Sequence, residues 1–133
     1  MELEIIAKMR CDLPTKFGIP RQSGIVPELR GEVVFEKKYA VPASVRGIGG
    51  FSHLWLIWGF SENGKREWSP TVRPPRLGGN TKMGVFATRS PFRPNPLGLS
   101  AVRLIGVRER DGELAIEVAG ADLMNGTPIY DIK

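Results

Sequence analysis

Cysteine and histidine are almost missing from these 133 residues, with one of each, Cys11 and His53. A lone cysteine excludes an internal disulfide, and the two together are too few for a zinc site of Cys and His ligands. Long apolar runs are missing as well. None reaches the roughly 20 residues that cross a bilayer. The start Met1-Glu2-Leu3-Glu4 lacks the basic-then-apolar pattern of a secretory signal. These absences lead to the expectation of a soluble, cytoplasmic chain with metal-independent chemistry and no membrane partner. Helical periodicity is also lacking, because 16 Gly and 11 Pro are spread along the chain and interrupt it. There is no internal repeat and no low-complexity linker, and the length suits one domain over residues 1–133.

The most informative absence is acid. From Trp68 to Arg108, 41 residues contain no Asp or Glu, yet carry Arg73, Arg76, Lys82, Arg89, Arg93, Arg103 and Arg108. One reading is a solvated face with chance clustering. The reading we favour is a phosphate-facing surface, because six of the seven cations are Arg, whose planar fork pairs with phosphate oxygens. That points to an anionic nucleic-acid substrate.

What remains between the breakers is β-type. Short runs are predicted as strands over Leu3–Met9, Glu32–Tyr39, Phe51–Phe60, Met83–Thr88, Ser100–Val107 and Glu113–Ala119. In the last, Leu114, Ile116 and Val118 alternate with Glu113, Ala115 and Glu117, as in a strand with one face buried. Arg110-Asp111-Gly112 predicts a hairpin turn, and Pro42–Arg46 a short helical piece. Phe51–Phe60, the most apolar run, is expected to be a central strand buried on both faces. Ser61–Lys82 reads as a long irregular segment, and such loops are usually functional. The fold class expected is all-β, a barrel or sandwich with short helical turns and long loops.

Two familiar phosphate motifs fail. Gly59-Phe60-Ser61-Glu62-Asn63-Gly64-Lys65-Arg66 has Arg66 where a P-loop needs Ser or Thr for magnesium. Gly47, Gly49 and Gly50 form no dinucleotide fingerprint. The densest constellation is Phe86-Ala87-Thr88-Arg89-Ser90-Pro91-Phe92-Arg93-Pro94-Asn95-Pro96. Three prolines fix φ and push Ser90, Arg93 and Asn95 toward extended geometry, which makes a stiff loop. Arg89 and Arg93 are then either pre-organised to bind or structural caps on backbone carbonyls. His53 sits among hydrophobes and reads more readily as a core histidine than as a catalyst. Asp122–Pro128 reads as a turn whose backbone groups could grip a small molecule.

Lys16–Gln22, Phe51-Ser52-His53-Leu54-Trp55, Arg73-Pro74-Pro75-Arg76-Leu77-Gly78-Gly79-Asn80, Gly84–Leu99 and Asp122–Lys133 occur in that order. Together they resemble the TsaA-like domain of the TrmO tRNA methyltransferases. The resemblance implies a single β-barrel, a homodimer, and transfer of methyl from S-adenosyl-L-methionine to N6 of N6-threonylcarbamoyladenosine at position 37 of tRNA. By motif it carries cofactor contacts to Pro20, Arg21, Gln22, His53, Leu54, Arg89, Leu99, Asp122, Leu123, Met124 and Asn125. Asn125 stands where the family usually has an acid, so backbone contacts rather than charge are expected there. On that footing Arg73 and Arg76 are expected to meet tRNA backbone, and Arg93 and Phe92 the substrate. His53 and Asp122 are the candidate proton acceptors, with water as their rival. Two other readings share part of this pattern. One is an RNA-binding module without catalysis, and the other is a methyltransferase of a small metabolite.

Overall fold

In the computed structural model, residues 1–11, 29–60, 67–75 and 78–133 are described. The Lys16–Gln22 loop, Arg76, and the part of the P-loop-like run from Ser61 to Arg66 lie outside them. Among the described residues there are eight strands: β1 (Ala7–Arg10), β2 (Arg30–Phe35), β3 (His53–Gly59), β4 (Thr71–Val72), β5 (Met83–Gly84), β6 (Leu97–Arg110), β7 (Glu113–Ala119) and β8 (Pro128–Ile132). Six close an antiparallel barrel in the order β1-β2-β7-β6-β3-β8, while β4 and β5 pair separately as a short ribbon. The all-β barrel read from the sequence is therefore the observed fold.

Strand β6 makes closure possible. Its first half pairs with β3, from Leu97–Gly59 to Arg103–His53, and its second half with β7, from Arg103–Ala119 to Arg110–Glu113. A register shift between Leu104 and Gly106 accompanies the change of partner, as expected where a bulge bends a strand. Strand β8 closes the ring between β1 and β3, and just beyond it Lys133 and Trp55 exchange backbone hydrogen bonds of 2.6 and 2.9 Å.

Alternation then fills the interior. Ala7 and Met9 of β1, Val33 of β2, Leu54 and Leu56 of β3, Val102 of β6, Ile116 and Val118 of β7 and Ile129 of β8 form one buried cluster. The interior rests on inward-facing positions two residues apart.

Several expected elements differ in detail. The Pro42–Arg46 piece is a 3-10 turn over Pro42–Val45. Leu3–Met9 is a strand only from Ala7, and Glu32–Tyr39 ends at Phe35 and passes into a 3-10 turn at Lys37–Tyr39. Met83–Thr88 is a strand for two residues and then a 3-10 turn, Val85–Ala87, because Thr88 closes it. Its N–H and Oγ1 both donate to the Val85 carbonyl, at 3.1 and 2.9 Å. The strand β3 is not buried on both faces. Leu54 and Leu56 point inward, whereas His53 and Trp55 are exposed, because a closed barrel has one inside. Strand β8 was hidden in the sequence behind the turn signals of Asn125-Gly126-Thr127-Pro128.

Candidate functional site

The proline-bearing loop between β5 and β6 is held at almost every step. Ser90 N–H donates to Thr88 Oγ1 (3.2 Å), and Phe92 N–H to Ser90 Oγ (3.1 Å). Arg93 Nη1 reaches back to the carbonyls of Thr88 (2.9 Å) and Ser90 (3.2 Å). Arg89 Nη1 donates to the Leu99 carbonyl at 3.3 Å, tying the loop to the start of β6. Ser69 N–H to the Phe92 carbonyl (2.7 Å) and Val85 N–H to the Pro70 carbonyl (2.9 Å) fasten the segment before the ribbon. Both arginines thus cap carbonyls, the structural role that the sequence left open. Each uses one nitrogen for it.

Between this loop and the β4–β5 ribbon opens a cleft of about 1220 Å³. Arg73, Lys82 and Arg89 supply its cations, Met83, Pro91 and Phe92 much of its apolar wall, and among the described residues none that lines it is acidic. Loop and ribbon therefore build a rigid, positive, partly apolar concavity. Such a shape takes a flat apolar group bearing negative charge. Beside it, Leu99 is 46% exposed although it lies within β6.

A second arrangement, missed in the sequence reading, links the barrel interior to the 122–125 turn. Trp58 Nε1 donates to Ser100 Oγ at 3.0 Å, and the Ser100 hydroxyl donates to Asp122 Oδ1 at 2.8 Å. Ser100 is only 1% exposed. Its position was a legible signal, a polar residue at an inward site between Gly98 and Val102. The Trp58 ring covers Gly98, where a Cβ would sit 2.2 Å from Trp58 Cζ2. Phe60 meets the same ring edge-on, with centroids 4.7 Å apart. Further along, Gly126 N–H donates to the Met9 carbonyl (2.7 Å) and Met9 N–H to the Thr127 carbonyl (2.9 Å). Cys11 N–H donates to Asn125 Oδ1 at 3.0 Å. An amide oxygen serves there as a carboxylate would. Among the described residues, the backbone N–H groups of Leu123, Met124 and Asn125 take no hydrogen-bond partner.

The expected site residues are only partly brought together. Arg73, Arg89 and Phe92 line one cleft, and Arg93 braces its loop. Leu99 is bonded to Arg89, and its neighbour Ser100 to Asp122. Leu54 and Leu123 point into the core. Leu54 stands in the ladder opposite Val102, and the Leu123 carbonyl accepts from Cys11 Sγ at 3.3 Å, which leaves the Leu123 N–H for a ligand. His53 is exposed, with Nδ1 2.9 Å from Ser52 Oγ, so the core reading of this histidine is corrected. It pairs with Arg103, four ladder steps from the Ile57–Leu99 pair, or roughly 13 Å along the strand. Pro20, Arg21, Gln22 and Arg76 lie outside the described residues.

Arg108 does not belong to the phosphate-facing set. It donates to Glu32 and Glu113 on the barrel wall, where Arg10 also meets both carboxylates. These hydrogen bonds from Arg10, then Arg108, hold the Glu113 carboxyl at about 2. Burial pushes Glu32 up, but hydrogen bonds from Arg108 and Arg10 outweigh it and leave its carboxyl below the usual range. The same partners raise both guanidinium groups. Charges this fully matched are a structural network.

Comparison with known proteins gives a consistent result. Residues 8–133 match the family model of the tRNA-methyltransferase O N-terminal domain. The chain is 46% identical over 132 residues to the tRNA (adenine(37)-N6)-methyltransferase of Escherichia coli, covering 99% of this chain and 56% of that protein. It is 41% identical over 120 residues to the human protein of that name, covering 89% of this chain and 26% of the other. A crystal structure of TrmO from Pseudomonas aeruginosa superposes with a TM-score of 0.76 at 34% identity, over 100% of this chain and 54% of that one. The chain spans about half the length of the bacterial relatives it matches.

Proposed function

The chain belongs to the tRNA-methyltransferase O N-terminal domain family, and we propose that it methylates N6 of the adenosine at position 37 of tRNA, in its N6-threonylcarbamoyl form, using S-adenosyl-L-methionine. The observation that carries this reading is the acid-free cleft between the ribbon and the braced loop, opening beside Arg89 and Leu99.

The cofactor has an adenine ring, a carboxylate and a sulfonium centre. Leu99 offers exposed apolar surface, Arg89 a guanidinium, and the 122–125 turn three N–H groups, so the residues present fit it. S-adenosylmethionine, when bound, supplies a methyl group that is already activated, which leaves alignment as the main task of the protein. Arg89 and the backbone of Leu123, Met124 and Asn125 would hold the cofactor, with Leu99 against its ring. His53, Leu54 and the Pro20–Gln22 segment complete the contacts that the family motif carries. Arg73 and Arg76 would take tRNA phosphates. Phe92 and the unspent nitrogens of Arg93 would orient the modified base, whose carboxylate suits a charge-assisted pair.

The N6 nitrogen loses a proton as its new bond to carbon forms. Asp122 Oδ1 already accepts from Ser100, and His53 stands four ladder steps from the Leu99 pair, so water is the acceptor best supported. We further read the protein as a cytoplasmic homodimer. Trp55, 49% exposed on the outer face of β3, supplies apolar surface for a partner copy.

Two measurements test this reading. Calorimetric titration with S-adenosylmethionine should show binding, and methyl transfer should require tRNA that carries the threonylcarbamoyl group. Absence of cofactor binding would leave an RNA-binding module, and transfer that ignores tRNA would leave a small-metabolite enzyme.

A further inference from the structure

Among the described residues, Phe86 is the most solvent-exposed phenylalanine, at 73%. A single exposed apolar residue is ordinary. This one is distinguished by its mount. It sits in the 3-10 turn Val85–Ala87, between a buried Val85 and the Thr88 cap that closes the turn twice over. Ala87, the next residue, lines the acid-free cleft. Arg93 Cζ stands 5.9 Å from the ring centroid, within the range of a cation–π contact, and Arg93 is itself pinned by the Thr88 and Ser90 carbonyls. The ring is therefore backed by a fixed guanidinium and presented to water.

We propose that Phe86 is a stacking platform for an unpaired nucleobase of the RNA substrate, flanking the base that enters the cleft. This rests on the tRNA reading above. Charge decides between occupants. The 41 residues around Phe86 contain no acid, and Arg73, Lys82 and Arg89 line the adjoining concavity, so an anionic strand is drawn to this surface. Aromatic faces hold splayed RNA bases without needing a sequence-specific hydrogen bond. The turn that carries the ring is closed before contact, so little backbone entropy is lost when a base settles on it. Phe92 is placed differently. It is half-buried, with its N–H bonded to Ser90 Oγ and its carbonyl to Ser69 N–H, and it serves as cleft wall while Phe86 stands outside.

The test compares wild type, Phe86→Ala, Phe86→Leu and Phe86→Tyr by tRNA binding, S-adenosylmethionine titration, thermal midpoint and sedimentation. Phe86→Ala should weaken tRNA binding about tenfold and leave cofactor affinity, midpoint and sedimentation unchanged. Phe86→Leu, which keeps apolar bulk, should lose as much, and Phe86→Tyr, which keeps the ring, should match wild type. The leucine variant carries the comparison if the alanine variant proves unstable. Unchanged tRNA affinity in both ring-less variants overturns the proposal. So does a change of sedimentation without a change in RNA binding, which would make Phe86 a contact between copies. Failure of wild type to bind tRNA at all instead overturns the parent reading, and this proposal with it.

Discussion

Ser100 shows how much one hydroxyl can fix. It accepts from Trp58 Nε1, so its own proton is left for Asp122. The polarity runs one way, from a ring locked over Gly98 to a carboxylate at the head of the 122–125 turn. Replacing Ser100 with Ala leaves the indole N–H without its acceptor in a nearly dry site and removes the donor to Asp122. Urea unfolding of Ser100→Ala should show a loss of about 2 kcal/mol, the cost of stranding a buried donor. A loss under about 0.5 kcal/mol would mean that water replaces the hydroxyl and that the relay orders nothing. The sequence exposed half of this. Ser100 at an inward position announces a buried polar group, but its acceptor lies 22 residues away and its donor 42. No local pattern links them. Arg108 was misread partly for the same reason, because Glu32 is 76 residues distant, although its second partner, Glu113, is only five residues away across the hairpin. Conversely, the rigidity of Arg89 and Arg93 was legible, since proline acts on its immediate neighbours.

At the scale of elements, local chemistry again separates what could be read from what could not. The β6–β7 hairpin was plain. Asp111 and Gly112 both adopt positive φ, 53° and 80°, as a two-residue turn that matches the strand twist requires. Gly112→Ala forces a side chain into that region. A fall of about 1 kcal/mol in urea stability is expected, from the clash of Cβ with backbone in left-handed geometry. An unchanged midpoint would show that the turn relaxes to another type. Strand β7 was equally legible, because Leu114, Ile116 and Val118 alternate without interruption. Strand β8 was not. It is defined by β1 and β3 on either side of it, and its five residues follow directly on turn residues. The 3-10 turn that carries Phe86 was mistaken for strand because its capping bonds, which set its geometry, are invisible in a run of β-formers.

The whole barrel is strapped by charge as well as by its ladder. Arg10 of β1, Glu32 of β2, Glu113 and Glu117 of β7 and Arg108 of β6 sit on four strands that are consecutive in the closed sheet. The Glu113 carboxyl is held at about 2, against an ordinary 4.5, chiefly by the hydrogen bonds from Arg10 and then Arg108. The Glu32 carboxyl moves in the same direction. A carboxyl depressed in the folded state binds its proton more readily when unfolded, so acid favours unfolding. The stabilisation is complete above the unfolded value near 4.5 and is lost as pH falls toward about 2. Thermal midpoints should therefore stay level as the pH is lowered to about 5 and decline below it. Glu113→Gln keeps the shape but cannot ionise. Its midpoint should lie lower on the neutral plateau and decline less steeply in acid, so that the two curves converge at low pH. Parallel curves would assign the acid sensitivity to carboxylates outside this network, and the strap would then be a surface feature without consequence for closure.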